Sequence, residues 1–442
     1  MKYICTIICF LCLAFSAMAD RVRVRLFSNN TVDMINISFD LGTYNIYAND
    51  TTLVEAEVGG DKSVELTPQG RQVHVSIDGY DYGNYNSVNF EATDTACILC
   101  LNPRNIKQRT YEGNLIVSVN KSNKLLIIND VEFETYIAGV VQSEIYGDQT
   151  DIFRVQAIIS RTWAMKNINK HKSEGYNFCD QVHCQAYLNR CVRPDIMLGT
   201  MQSSGMTIVD AEGKLIDTPF HSNSGGQTAN SEDVWRSALP YLRSVPDTFS
   251  YGMRQSEWVK VVNEDKWLNY FANKHKLDTH IDSIRSELLS FSQPNRKVRV
   301  CGVPLTRIRT DFQLKSTFFS VIYDSVAHRV TLSGHGFGHG VGLSQEGTIR
   351  MVHLGISYDS IIRHYYTGSH IAYDESHPHT YVENYIKQIA QIIEEDKVST
   401  TQKTSKNDDW LGRLFRLRDR EEREEVYDPN AEELDEDWQY DW

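Results

Sequence analysis

The stretch KLLIINDVEFETYIAGVVQSEI, residues 124–145, marks the point at which the pattern of this chain changes. Its first half is a dense apolar run that predicts a β-strand, and its second half predicts the start of a helical region. Short strand-like segments precede it, whereas helical and strand-like segments mix after it. The sequence therefore predicts an α+β fold, with a mixed domain preceded by a small all-β domain and followed by a helical, acidic tail.

Residues 20–109 are predicted to form the all-β domain. RVRVRLF at residues 21–27 alternates apolar and charged residues, and INISFDL, SVELT, QVHVSI and ACILCL follow between Asn, Gly, Asp and Pro signals. Residues 110–370 are predicted to form the mixed domain. Within it, Thr150 is the predicted N-cap of a helix with one buried face, carrying Ile152, Val155, Ile159 and Trp163.

The two ends of the chain predict its location. Residues 1–19 combine a Lys near the start, an apolar run and a small-x-small site, which is typical of a secretory signal peptide. An uncleaved anchor would need about 20 apolar residues, so we expect an exported protein, periplasmic or extracellular, that is soluble after cleavage and has no transmembrane segment. Residues 371–398 predict an amphipathic helix, and residues 399–442 a linker and an acidic, disordered tail. The net charge of −13 argues against a nucleic-acid partner.

The most glycine-rich stretch is GHGFGHGVGLSQEG, residues 334–347. It has neither the Rossmann nor the Walker spacing, so a phosphate site is disfavoured, while a metal pair of His335 and His339 stays an alternative. We expect a glycine floor beneath an extended ligand, with His339, Ser344 and Gln345 as polar contacts at the start of the next helix. On this interpretation Gly340→Val blocks ligand binding and leaves the fold largely intact.

Two further polar stretches are candidates for chemistry. Glu144 follows an apolar run, and a carboxyl group against an apolar wall favours its neutral form, as a general acid near neutral pH requires. A solvated glutamate at a helix end is the alternative. PFHSNSGGQTANSEDVW, residues 219–235, contains His221 with Ser222 and Ser224, which allows a serine hydrolase, although the G-x-S-x-G elbow is missing.

Several ordered motifs between about residues 114 and 368 resemble the SpoIID/LytB family of stage II sporulation protein D and amidase enhancers. The motifs, in chain order, are VEFETYIAGVVQSEI, VQAIISRTWAM, FCDQVHCQAY, FHSNSGGQTANSEDVW, LPYLRSV, LKSTFF and GFGHGVGLSQEGTIRMVHLGISYDSIIRHYYTG. Ser224 departs from the cysteine that many relatives carry, and Ile145 replaces methionine. Neither change removes the proposed acid.

The resemblance implies a lytic transglycosylase that cleaves between N-acetylmuramic acid and N-acetylglucosamine in peptidoglycan strands and leaves 1,6-anhydro ends. Glu144 matches the family's catalytic acid, and Arg161, His221, Ser344 and Gln345 match positions around its cleft. The alternative is a non-catalytic peptidoglycan-binding module that stimulates a partner cell-wall amidase.

The cysteines leave two possibilities open. Some relatives hold zinc at the positions of Cys179 and Cys184 with a nearby histidine, which implies a structural zinc site with His171, although the chemistry itself requires no cofactor. A disulfide between Cys179 and Cys184, or between Cys184 and Cys191, is equally natural in an oxidising compartment. Cys97 and Cys100 spell C-x-x-C in a strand-like run, where a structural pair is expected rather than a redox motif.

Overall fold

The computed structural model describes residues 21–49, 51–53, 57–94 and 97–373. The predicted signal peptide and the chain from residue 374 onward lie outside this range, so the predicted tail is not described. Helices and strands are both abundant among the described residues, which confirms the α+β class. No helix among the described residues is long and apolar enough to cross a membrane.

Short strands dominate the first part of the chain. They are β1 (Arg21–Leu26), β2 (Ile35–Leu41), β3 (Thr43–Ala48), β4 (Thr51–Thr52), β5 (Val58–Gly59), β6 (Ser63–Gln69), β7 (Gln72–Ile77), β8 (Tyr80–Tyr85), β9 (Ser87–Ala92), β10 (Ile98–Pro103), β11 (Arg109–Glu112), β12 (Asn114–Val119), β13 (Leu125–Glu132) and β14 (Phe178–Cys179). The later strands are β15 (Met206–Val209), β16 (Phe220–His221), β17 (Glu257–Asn263), β18 (Arg299–Val300), β19 (Val303–Pro304), β20 (Phe319–Asp324), β21 (Arg329–His335), β22 (Leu343–Ser344) and β23 (His370–Tyr373).

The helices begin where the strand pattern ends. They are α1 (Phe133–Glu144), α2 (Thr150–Lys166), α3 (Pro194–Gln202), α4 (Ser231–Val234), α5 (Glu264–His275), α6 (Asp282–Leu289), α7 (Leu305–Asp311), α8 (Gln345–His353) and α9 (Tyr358–Tyr365). Helix α9 has Tyr366 as its C-cap.

The described residues form two compact units that are discontinuous in sequence. Unit 1 holds residues 21–146 and 167–204, and unit 2 holds residues 147–166 and 205–373. The predicted boundary near residue 110 runs through unit 1, because β12 pairs with β9 and β13 pairs with β1.

Unit 1 contains two antiparallel-rich sheets. One has the order β14-β1-β13-β12-β9-β3-β4, with β5 also paired to β3, and the other has the order β11-β10-β2-β6-β7-β8. Strands such as β7 bury alternate residues, here Val73, Val75 and Ile77, as the period-two pattern predicts. Helix α1 follows β13 directly, so the sheet fixes where the helix starts.

Unit 2 contains a three-stranded sheet of order β17-β21-β20 and the two-stranded pairs β15–β23, β16–β22 and β18–β19. Helices α5, α6 and α7 contribute to a core on this sheet that includes Trp267, Phe271 and Ile308. The parallel pair β16–β22 places His221 opposite Ser344 in register. This pairing joins two stretches that the sequence singled out separately.

Candidate functional site

Glu144 is the last residue of α1, whose apolar face is buried through Tyr136, Ile137, Val140 and Val141. Its side chain is half-buried, and the backbone N–H of Ala186 donates a hydrogen bond of 2.7 Å to its Oε1. Burial raises the pKa of Glu144 to about 7, although the hydrogen bond from Ala186 acts in the opposite direction. A carboxyl group with this pKa is partly protonated at neutral pH and can donate a proton.

The loop that carries Ala186 packs closely on α1. The backbone N–H of Leu188 donates to Ser143 Oγ at 3.1 Å, and the Tyr187 hydroxyl donates to Asn129 Oδ1 at 3.0 Å. A Cβ on Gly139 would lie 2.4 Å from the ring of Tyr187. The glycine therefore permits the close approach that brings Ala186 to the candidate acid.

His171, Cys179, His183 and Cys184 form a cluster whose donor atoms all lie within 4.8 Å of one another. Cys184 Sγ is 3.4 Å from His171 Nε2 and 3.8 Å from His183 Nδ1, and Cys179 Sγ is 3.7 Å from His183 Nδ1. Tetrahedral zinc ligands at their usual bond lengths are separated by about 3.3–3.8 Å. The donor set and its spacing therefore fit a zinc ion.

The orientation of His171 supports the same conclusion. Its Nδ1 lies 2.5 Å from Glu174 Oε1, so the proton sits on Nδ1 and Nε2 keeps its lone pair toward Cys184. A carboxylate that fixes the tautomer of a ligating histidine is the common arrangement at zinc sites. The sequence predicted Cys179, Cys184 and His171 as ligands, and the structure adds His183.

Cys97, Cys179, Cys184, Cys191 and Cys301 are not in a disulfide. Cys191 Sγ donates to the carbonyl of Arg193 at 3.4 Å, and Cys97 Sγ donates to the carbonyl of Thr43 at 3.3 Å. Cys97 and Cys100 are both buried at the start of β10 and fill the core of unit 1. Residues three apart in an extended segment point to opposite faces and lie too far apart for a disulfide.

The glycine-rich stretch in unit 2 turns repeatedly through left-handed backbone. Gly336, Gly338, Gly340 and Gly342 have φ values of 76°, 113°, 83° and 70°, which only glycine adopts without strain. Gly340 faces the guanidinium of Arg296, because a Cβ there would lie 3.0–3.2 Å from its atoms. The structure therefore argues against the expectation that Gly340→Val leaves the fold largely intact, which stays a prediction.

His221 and His339 are bound to opposite ends of one residue, Val341. His221 Nδ1 lies 3.2 Å from the Val341 carbonyl, and the Val341 N–H donates to His339 Nδ1 at 3.1 Å. A carbonyl only accepts and an N–H only donates, so His221 carries its proton on Nδ1 and His339 on Nε2. Burial lowers the pKa of His221 well below its ordinary value and that of His339 to about 4.

The remaining predicted contact residues are buried in unit 2. Ser344 Oγ accepts the N–H of Gly347 at 3.2 Å and so caps α8, which confirms the predicted helix start. Gln345 Nε2 donates to Gln156 Oε1 at 3.3 Å, and Arg161 Nη1 donates to the carbonyl of Met206 at 3.2 Å. These side chains hold neighbouring segments together, and their role as sugar contacts remains a prediction.

The serine hydrolase alternative finds no support at Ser224. Its hydroxyl donates to Asp247 Oδ2 at 2.6 Å and lies 3.0 Å from Ser250 Oγ, and the side chain is fully buried. The hydroxyl therefore belongs to a network with a carboxylate, whereas activation would require a histidine base.

Sequence reasoning did not single out Ala186 or Arg296. Ala186 acts through its backbone, which no residue type reveals. Arg296 lies outside the recognised motifs, and only the fold brings it beneath Gly340.

Comparison with known proteins agrees with the motifs. A model of the family described as Stage II sporulation protein (SpoIID) matches residues 121–207. Stage II sporulation protein D of Bacillus subtilis is 25% identical over 261 residues, which cover 55% of this chain and 76% of the relative. The amidase enhancer of the same organism is 24% identical over 289 residues, covering 53% of this chain and only 40% of the relative.

The motifs and these matches show that the chain is similar to the SpoIID/LytB family of stage II sporulation protein D and amidase enhancers.

Proposed function

We propose that this protein is a peptidoglycan lytic transglycosylase with Glu144 as its general acid and base. The observation that carries the proposal is the position of this carboxyl group, which the N–H of Ala186 contacts at 2.7 Å and whose pKa burial raises to about 7. The matched family region includes Glu144, and the motif resemblance supplies the substrate. The predicted signal peptide would export the protein to the compartment that contains the cell wall, where this substrate lies.

The chemistry needs one carboxyl group. Protonated Glu144 donates its proton to the glycosidic oxygen while the bond from C1 of N-acetylmuramic acid to that oxygen breaks, which gives an oxocarbenium-like centre. The C6 hydroxyl of the same sugar then bonds to C1, and its proton returns to the Glu144 carboxylate. The products are a free N-acetylglucosamine 4-hydroxyl and a 1,6-anhydro end, and the acid is regenerated.

Replacing Glu144 tests the proposal directly. We expect Glu144→Gln to lower the rate of anhydro-end formation by about 10²–10⁴-fold, measured by mass spectrometry on glycan strands with and without stem peptides. Glu132→Gln is the matched control, since Glu132 is an exposed glutamate immediately before the same helix. If the wild-type protein binds strands but forms no anhydro ends, the proposed lytic transglycosylase activity is excluded.

The similarity to an amidase enhancer favours a second candidate, a peptidoglycan-binding protein that stimulates a partner amidase. This candidate predicts that Glu144→Gln stimulates an added amidase as well as wild type does. The same purified variants therefore distinguish the two functions.

We also propose that His171, Cys179, His183 and Cys184 hold a structural zinc ion. Four protein ligands leave no open position for water, which is typical of structural rather than catalytic zinc. A bound ion would fix residues 179–184 and, through them, the adjoining Ala186.

A further inference from the structure

The guanidinium of Arg296 connects the two polar loops of unit 2. Its Nε donates to the carbonyl of Gln227 and its Nη2 to the carbonyl of Ser224, both at 2.6 Å. Its Nη1 donates to Thr317 Oγ1 at 3.3 Å. These three bonds leave one N–H on each terminal nitrogen.

Arg296 has no carboxylate partner among the residues that the structure describes. Its bonds go to carbonyl and hydroxyl oxygens, its guanidinium carbon lies 4.8 Å from the centre of the Phe318 ring, and burial lowers its pKa to about 10. A cation that is taken out of water without a counter-charge costs free energy. Such a cation attracts any anion that reaches it.

The neighbouring histidines respond to this positive charge. Burial lowers the pKa values of His221 and His339 most, and the charges of Arg296 and Arg309 lower them further. The shifts are consistent with a positive electrostatic potential around the loop.

A recess opens beside Arg296. It is lined by Lys297, Thr306, Thr317, Val234 and Asp233, together with Arg296 itself. Lys297 lies against the ring of Phe291, with Nζ 5.1 Å from its centre, and Asp233 Oδ2 already accepts from Asn230 Nδ2 at 2.8 Å. Two cations, Arg296 and Lys297, therefore line the recess together with one carboxylate, Asp233, which already accepts a hydrogen bond from Asn230.

We propose that this recess binds an oxyanion, a carboxylate or phosphate group carried by a ligand. Arg296 and Lys297 supply the charge, and the hydroxyls of Thr306 and Thr317 supply further donors. Charge-assisted hydrogen bonds of this kind are the strong ones. The proposal does not depend on the role of Glu144, and failure of either leaves the other intact.

The test titrates the full-length protein with sodium acetate or inorganic phosphate against sodium chloride at equal ionic strength, and follows the midpoint of thermal unfolding. We expect a saturable stabilisation by acetate, phosphate or both. The anion that binds more tightly indicates whether the natural ligand carries a carboxylate or a phosphate group. Lys297→Met should weaken the apparent affinity about tenfold, and Arg296→Met by at least as much. Lys266→Met, which removes an exposed lysine on α5, should leave it unchanged.

Two results would overturn the site. One is the absence of a saturable response to either anion in the wild type, and the other is an equal response in wild type, Lys297→Met and Lys266→Met, which indicates ionic strength alone. If Arg296→Met fails to fold, Lys297→Met and Thr306→Val decide the question.

Discussion

The N–H of Ala186 donates a 2.7 Å hydrogen bond to Glu144 Oε1, and Ala186 lies only two residues after Cys184 of the cysteine–histidine cluster. One short loop of unit 1 thus carries three of the candidate zinc ligands, Cys179, His183 and Cys184, and the backbone donor to the candidate acid. A change in the cluster is expected to reach Glu144 through the position of this backbone donor.

The first prediction concerns the pH dependence of stability. The pKa of Glu144 is about 7 in the folded protein against 4.5 for the ordinary group, so the folded chain keeps a proton that the unfolded chain has released between these values. Stability therefore falls as pH rises through this window. Glu144→Gln removes this pH-dependent loss of stability, because glutamine does not ionise. The free energy of unfolding of the variant should exceed that of wild type by about 2–3 kcal/mol above pH 7 and equal it near pH 4.

Urea unfolding at several pH values measures this difference, with Glu132→Gln as control. A difference that does not change with pH would mean that the carboxyl has an ordinary pKa. Activity should also fall as the pH rises, because the general acid must be protonated. We expect kcat/KM to fall about tenfold per pH unit above the pKa of Glu144.

The second prediction concerns Gly139. A Cβ at this position would meet the Tyr187 ring at 2.4 Å and the carbonyl of Asn189 at 2.9 Å. Gly139→Ala should therefore push the loop away from α1, destabilise the protein by about 1–3 kcal/mol and lower activity. Thr135→Ala on the same helix is the control, and a Gly139→Ala protein of wild-type stability and activity would show that the loop can move without cost.

The third prediction concerns the metal. Protein purified under reducing conditions should contain about one zinc per chain, and a chelator should lower the midpoint of thermal unfolding. Cys179→Ser should abolish zinc retention, whereas Cys301→Ser, outside the cluster, should not. A metal-free protein whose accessible thiol count falls by two without reductant would instead indicate a disulfide.

The fourth prediction separates backbone strain from contact in the glycine loop. Gly340 and Gly355 have φ values of 83° and 77°, but only Gly340 has atoms within 4 Å of the added Cβ. Gly355→Ala should cost about 1–2 kcal/mol from the left-handed backbone alone. Gly340→Ala should cost more, because Arg296 must move; equal losses in urea unfolding would show that the arginine adapts freely.

The sequence was most informative where a pattern is local. The period-two pattern of RVRVRLF predicts β1, and Ser344 marks the start of α8. The pattern did not reveal that β1 pairs with β13, since that pairing joins segments about 100 residues apart in the chain and depends on the whole sheet.

Helix α2 shows a second limit. Its apolar spacing predicts one buried face, yet Gln156, Ser160, Arg161 and Thr162 are buried as well. Polar residues on a helix normally indicate solvent, and only the tertiary partners of these side chains, such as the carbonyl of Met206 for Arg161, reverse that expectation. The candidate site shows the same limit. The sequence motif predicted Glu144, whereas its backbone partner Ala186 could be identified only from the fold.

The single residue Val341, which fixes both histidine tautomers, has a practical consequence for enzymology. Neither ring gains a proton readily across the mildly acidic range, since both pKa values are depressed. A pH–rate curve measured there has no contribution from these two rings. An inflection in this range therefore does not come from His221 or His339.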